Sequence, residues 1–269
     1  MAPFPNVAPK STLKYCAVEG PGVNLRPVPP SRPAAPTPRR RVGRPAQISR
    51  QAIAEAAYEV GLGNLTLTAV ADHLGVSVAG LYHHIRGKDD LMRLAAEHTA
   101  SRVEVPLDHG QPWAAWLSEW AAYTFDAFVA EPLLLDQFLA GAISAESIAG
   151  TTDAILGVLV RQGFTIGDAH AAYQATSSCA LGNAVKAVRE ARARAGGRSD
   201  AAEQHRVLDQ HGPDELPYLR RLLACLVAER PDGLGAGLTT TLAGIAATRD
   251  EPWQPVAGLV QEALAARRA

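Results

Sequence analysis

From Ser49 onward, apolar residues recur at three- and four-residue spacing, and polar caps and glycines cut the run into helices. Ser49 precedes Ile53, Ala56, Ala57 and Val60, and Gly61 and Gly63 stop that segment. Thr66 opens a short segment with inward positions Val70, Ala71 and Leu74, closed by Gly75. Ser77 opens another, predicted as a helix over Val78–Ile85, with Leu81 and Ile85 on one side and Gly87 at its end. A longer helix is expected over Lys88–Thr99, with Asp89 and Asp90 in the first turn, where the helix dipole favours acids. Beyond Pro106 the segments lengthen. Trp113, Trp116, Leu117, Trp120, Tyr123, Ala127 and Phe128 form a helical stripe up to Pro132. Further helices are predicted over Leu133–Ala140, over Ser144–Gln162, and from the capping-box spacing Thr165-Ile166-Gly167-Asp168 to about Arg194. Ala195–Pro213 reads as a polar loop, and helices over Pro217–Ala228, Leu234–Thr248 and Pro255–Arg268 finish the chain. No segment reads as a strand. The expected fold is all-α.

Composition agrees. Apolar residues make up 47% of the 269 and aromatics only 6%, a balance that suits helices better than a β-sandwich or barrel. The three cysteines, Cys16, Cys179 and Cys225, are too scattered for a disulfide framework or zinc ribbon, which points to a reducing cytoplasm. The longest uncharged run carries His, Gln, Asn and Ser and does not read as a membrane span. No basic flank precedes an apolar block at the start, so secretion is not expected.

The net charge of -1 hides an asymmetry. Residues 1–45 hold eight Lys/Arg against one acid, residues 46–95 four against five, and the rest fourteen against twenty-one. A basic arm ahead of an acidic body is a pattern linked to nucleic acid or an anionic surface. The arm also carries eleven of the nineteen prolines and few bulky apolar groups, so residues 1–45 read as a disordered tail. Residues 1–38 fit a passive tail or an upstream start. Arg39-Arg40-Arg41-Val42-Gly43-Arg44 sits directly before the first helix and could enter a minor groove.

The informative stretch is residues 66–85, TLTAVADHLGVSVAGLYHHI. Two short helices joined by Gly75-Val76-Ser77 make a helix-turn-helix: Gly75 permits the left-handed turn, Val76 plugs the gap, and Ser77 starts the second helix. Such a pair presents the second helix to a major groove while Thr66 and Thr68 meet the backbone. With Leu81 and Ile85 inward, Val78, Ala79, Gly80, Tyr82, His83 and His84 lie outward. Small residues at the helix start allow close approach to base edges, and Tyr82, His84 and Lys88 offer donors to phosphates and bases. Adjacent histidines on a helix point about 100° apart, and no third ligand lies at a usable spacing, so no metal or cofactor is expected.

The run GRPAQISRQAIAEAAYEV, followed by LTLTAVADHLGVSVAGLYHHIRGKDDLM, resembles the DNA-binding domain of the tetracycline-repressor (TetR) family. The lead Gly43-Arg44-Pro45, Leu74-Gly75-Val76-Ser77, Leu81-Tyr82-x-His84-Ile85 and Lys88-Asp89-x-Leu91 carry the likeness. The resemblance implies that Tyr82 and Lys88 hold phosphates, that Val78, Ala79, Gly80 and His84 lie over base edges, and that Arg44 reaches the minor groove. Thr68-Ala69 stands where many relatives carry a guanine-reading arginine. It further implies a DNA-binding domain over residues 46–105 and a helical regulatory and dimerisation domain over 106–269. The expected assembly is a homodimer on a palindromic operator, held by a four-helix bundle with Gly182, Gly237, Ala243 and Gly244 at close helix contacts.

A cavity for a small-molecule effector is expected inside the second domain. Its candidate lining is Trp113, Trp116, Trp120, Tyr123, Phe125, Phe128 and Phe138, with Tyr173, Gln174 and Cys179 across from them; so aromatic a wall implies a flat, largely apolar ligand. Gly75-Val76-Ser77-Val78-Ala79 approaches a nucleophile elbow but lacks the last glycine and has helical flanks. No P-loop, dinucleotide fingerprint or His-Glu-x-x-His is present, and no enzyme is expected. The reading is a cytoplasmic, sequence-specific transcriptional regulator acting as a ligand-responsive repressor. The competing reading is a helical small-molecule or partner-binding module that does not act on DNA.

Overall fold

The computed structural model describes residues 48–228 and 233–266, and every regular element among them is helical. The N-terminal part holds α1 (Arg50–Val60), a 3-10 turn (Leu62–Asn64), α2 (Leu67–Leu74), α3 (Val78–Leu81) and α4 (Lys88–Ser101). The body holds α5 (Trp113–Ala130), α6 (Pro132–Leu139), α7 (Ala145–Arg161), α8 (Ile166–Ala195), α9 (Asp200–Asp209), α10 (Pro217–Ala228), α11 (Gly233–Thr248) and α12 (Trp253–Ala266). The proline- and arginine-rich arm, with Arg39–Arg44, lies outside the described residues.

Local chemistry sets the helix starts. The hydroxyls of Ser49, Thr66 and Ser77 accept from the amides of Ala52, Ala69 and Gly80, each a cap worth about 1 kcal/mol. Gly75 ends α2 in the left-handed region (φ 66°, ψ 34°), which costs a residue without Cβ nothing. The Val76 amide then bonds back to the Ala71 carbonyl at 2.9 Å, and Val76 packs half-buried against the core.

Four predicted elements differ. α3 is helical only from Val78 to Leu81 and then runs on as a turn in which the Ile85 amide donates to the Leu81 carbonyl at 3.0 Å. It stops there because Gly87 (φ 146°) redirects the chain into α4 two residues later. The expected loop over residues 195–213 contains α9: Ser199 accepts from the Ala202 amide, good helix formers follow, and Leu208 is buried. α12 begins at Trp253, leaving Pro255 in the first turn, where a missing N–H costs nothing. The capping box at α8 is half formed. Thr165 Oγ1 accepts from the Asp168 amide but donates to Asp168 Oδ2 at 2.6 Å, because aspartate is one methylene too short to reach the cap amide.

Two apolar clusters hold the helices. One joins α5, α7, α8, α11 and α12 around Trp116, Leu117, Leu159, Leu238, Leu242 and Val260, each essentially inaccessible. The other packs Ile53, Val70, Leu81 and Leu91 together with Phe128, Leu134, Leu135 and Val188 of α5, α6 and α8. At about 1.5–3 kcal/mol per buried large side chain, that second cluster binds α1–α4 firmly to the body. Apolar packing therefore runs across the 105/106 boundary expected from the sequence.

Candidate functional site

The recognition segment is built from inside outward. Leu81 and Ile85 are buried under α3 beside Val70 and Ala71, which fixes the direction of the opposite face. On that face Ala79, Tyr82 and His83 are exposed, Tyr82 at 54%. The outward set is narrower than the sequence indicated. Val78 is half-buried against the core cluster, and a Cβ on Gly80 would face Ile48 Cδ1 at 3.4 Å, so that face of Gly80 meets the incoming chain. His84 is half-buried, and its carbonyl accepts from Arg50 Nη1 at 2.6 Å. Thr66, Thr68 and Ser77 are exposed at the ends of α2 and α3, and Lys88 is exposed at the first position of α4. Arg44 lies outside the described residues.

Asp90 organises this edge. It accepts from Arg50 Nη1 at 3.1 Å and Nη2 at 3.0 Å, from Arg93 Nη2 at 2.7 Å and from the Arg86 amide at 3.0 Å. These donors, Arg50 foremost, hold its carboxyl well below the usual carboxylate range against the opposing effect of burial, and Asp90 in turn raises the Arg50 pKa. One carboxylate thus ties the start of α1, the α3–α4 turn and the first turn of α4. Arg86, Lys88, Arg93 and Arg50 surround it, four cations against Asp89 and Asp90, a basic lip suited to phosphate. Sequence spacing carried no sign of the Arg50–Asp90 pair; Asp90 was legible only as a dipole-favoured acid.

α4 connects this edge to a cavity. About 20 Å of helix separates Lys88 from Ala100, which lines a cavity of about 350 Å³ with Val103 beside it. Trp120, Tyr123, Phe128, Phe138, Tyr173 and Gln174 line it as expected. Four other expected residues do not. Trp113 turns to the far side, donating to Glu251 Oε2 at 2.7 Å and packing edge-on against Phe164. Trp116 is fully buried with its Nε1 on the Pro106 carbonyl at 3.0 Å. Cys179 faces α11, where a Cβ on Gly237 would come within 2.9 Å of its Sγ, and burial pushes its thiol up. Phe125 packs against both apolar clusters rather than lining the cavity. Sequence reasoning missed Thr124, Thr151, Thr152, His170, Ser177 and Ser178, which add polar groups to the wall beside Gln174. Ser177 Oγ accepts from Trp120 Nε1 at 3.0 Å, whereas the buried Thr124 Oγ1 has no hydrogen-bond partner.

Residues 50–95 match the family described as bacterial regulatory proteins, tetR family. An HTH-type transcriptional repressor of Mycobacterium tuberculosis is 27% identical over 159 residues, covering 57% of this chain and 61% of the relative. The chain thus spans about three fifths of the length of that curated relative. An HTH-type transcriptional regulator of Saccharopolyspora erythraea is 28% identical over 179 residues, 62% of this chain and 72% of the relative. The crystal structure of the Streptomyces coelicolor TetR family protein ActR in complex with actinorhodin shares the fold, with a TM-score of 0.55, 22% identity and coverage of 76% and 97%. The capped helix-turn-helix and its buried side lie within the segment that matches the tetR family of bacterial regulatory proteins.

Proposed function

We propose that this protein is a homodimeric, ligand-responsive transcriptional repressor that binds a palindromic DNA operator. The observation that carries the reading is the exposed edge formed by Ala79, Tyr82, His83 and Lys88, held in place by the Asp90 network. In this reading Tyr82 and Lys88 engage phosphates, Ala79 and His83 lie nearest the bases, and Thr66, Thr68 and Ser77 meet the backbone. Val78, Gly80 and His84 act chiefly by setting the pose of α3. Residues 46–105 form the DNA-binding domain and 106–269 the regulatory one, with Arg44 and the arm reaching the minor groove.

Self-association is assigned to α8 and α11. Ala171, Ala175, Ser178 and Gly182 of α8 and Ala236, Thr240, Gly244 and Ala247 of α11 are exposed at three- and four-residue spacing, small enough for close helix approach. Two copies would present half-sites ~34–36 Å apart or a multiple of that. The cavity is the effector site. α4 spans from its wall to the DNA edge, so a ligand that binds better to a splayed arrangement of the recognition helices lowers operator affinity by that difference. The M. tuberculosis relative is named a repressor, and ActR is named in complex with a small molecule; both favour this reading over a module that ignores DNA. Among the described residues no helix is long and apolar enough to cross a membrane, and the proposed site of action is the cytoplasm.

Selection of bound sequences from a random duplex pool, followed by a salt series on the winning site, tests this. The expected result is a palindrome whose log affinity falls linearly with log salt, at about -0.9 per phosphate neutralised. A monomer that retains no duplex at low salt would overturn it.

A further inference from the structure

We infer that the effector is an uncharged, flat compound of fused aromatic rings carrying a hydroxyl or carbonyl that pairs with Thr124. This rests on the effector reading of the cavity and gives it a chemical class.

Three observations carry it. First, no Lys, Arg, Asp or Glu lines the cavity and His170 is the one basic side chain among its lining residues, so a charged ligand would lose its hydration there with little countercharge. Second, aromatic rings gather at the wall. Trp120 stacks on Tyr123 with centroids 6.0 Å apart and planes 27° apart, and Tyr173 tilts against Trp120 from α8 at 6.2 Å. Such surfaces reward a planar π-system over an alkyl chain, which gains area but no stacking. A volume of about 350 Å³ stands near the low end of the ~300–1,000 Å³ range of small-molecule sites, which suits about two or three fused rings.

Third, the polar atoms are unequal. Trp120 Nε1 is already satisfied by Ser177. Thr124 Oγ1 is buried at the cavity wall with no partner, one turn along α5 from Trp120. A buried hydroxyl left unpaired is costly, and a turn about the Thr124 Cα–Cβ bond that brings it to a ligand oxygen removes that cost. Thr124 is therefore the specificity-determining residue: it separates an oxygenated ring system from the bare hydrocarbon.

The test uses the full chain and four probes: hydroxyphenanthrene, phenanthrene, phenanthrenecarboxylate and dodecanol. Binding is followed by tryptophan fluorescence and operator release by anisotropy of labelled duplex. Hydroxyphenanthrene is expected to bind most tightly. Thr124→Val keeps the shape and removes the hydroxyl; it should weaken hydroxyphenanthrene about three- to tenfold and leave phenanthrene within twofold. Equal or tighter binding of the carboxylate or of dodecanol overturns the class, as does an unchanged preference in Thr124→Val, as does failure of every probe to bind. The underlying reading has its own readout: a probe that fills the cavity without releasing the duplex overturns the effector role and leaves the ligand class standing.

Discussion

Arg50 reaches across from the first turn of α1 to grip Asp90 with both terminal guanidinium nitrogens, at 3.1 and 3.0 Å, while Nη1 also meets the His84 carbonyl at 2.6 Å. The two residues are forty positions apart, and between them lies the whole helix-turn-helix. The pair closes a ring: α1, the end of the α3 turn and the start of α4 cannot shift independently while it holds. An ion pair on an open surface contributes little, but this carboxylate is 13% exposed and has two further donors, the Arg86 amide and Arg93 Nη2.

Asp90→Asn should therefore cost about 2 kcal/mol of stability, the scale of charged hydrogen bonds lost, and should also lower operator affinity by loosening α3. Its pH dependence is specific. The folded-state pKa of Asp90 is depressed, so its stabilising effect is fully present above the unfolded carboxylate value of about 3.9 and is lost as pH falls through the folded value. Urea midpoints of wild type and variant should converge on acidification below about pH 4. A gap that stays constant down to pH 3 would show that the charge on Asp90 is not what the ring depends on.

Lys88 and His84 should separate cleanly. Lys88 is an exposed cation at the start of α4, and Lys88→Ala should weaken binding to all sequences while lowering the salt slope by about 1. His84 was expected over a base edge, yet it is half-buried with its carbonyl engaged. His84→Ala should lower affinity for specific and random duplex alike, whereas His83→Ala should relax preference at one position, at about 1–3 kcal/mol. Competition against single-base operator variants decides between the two histidines.

What could be read from the sequence was local. Ser49, Thr66 and Ser77 lie next to the amides they cap, and Leu81 and Ile85 lie on one side of a single turn, so pattern alone located them. The Arg50–Asp90 ring links elements forty residues apart and left no periodic trace. The cavity shows the same boundary. Trp113, Trp116 and Trp120 share a helical stripe, but α5 buries residues on nearly every side, so its stripe could not say which tryptophan meets the cavity and which meets Pro106 or Glu251. α9 was missed for the opposite reason: it buries so little that no apolar period marks it, and only its Ser199 cap and helix-forming alanines were there to find.

The Trp113 corner gives a control for stability without function. Glu251 accepts from Trp113 Nε1 at 2.7 Å and from Arg249 Nε at 2.8 Å, and Arg249 lies over the Phe164 ring at 3.8 Å. Glu251→Ala strands the indole donor and releases the guanidinium, and should lower stability by about 2 kcal/mol in thermal melts. Operator affinity measured well below the melting temperature should stay within twofold of wild type. A tenfold loss there would mean that the α11–α12 corner sets the pose of the recognition helices.

Glycines on α8 and α11 divide intrachain packing from self-association. Gly237 was expected in the dimer face, but a Cβ there would sit 2.9 Å from Cys179 Sγ and 3.5 Å from Asn183 Nδ2 of the same chain. Gly237→Ala should therefore push α11 off α8 and cost about 1–3 kcal/mol, with Cys179→Ala in the same chain restoring most of the loss. Gly182 and Gly244 have open space at the corresponding point. Alanine at either should be neutral or stabilising for the isolated fold, by up to about 1 kcal/mol from helix propensity. If those two glycines form the proposed interface, the Gly182→Ala, Gly244→Ala double variant melts no lower than wild type in dilute solution yet dissociates at higher protein concentration in sedimentation. A double variant that self-associates as wild type does would move the interface away from this face.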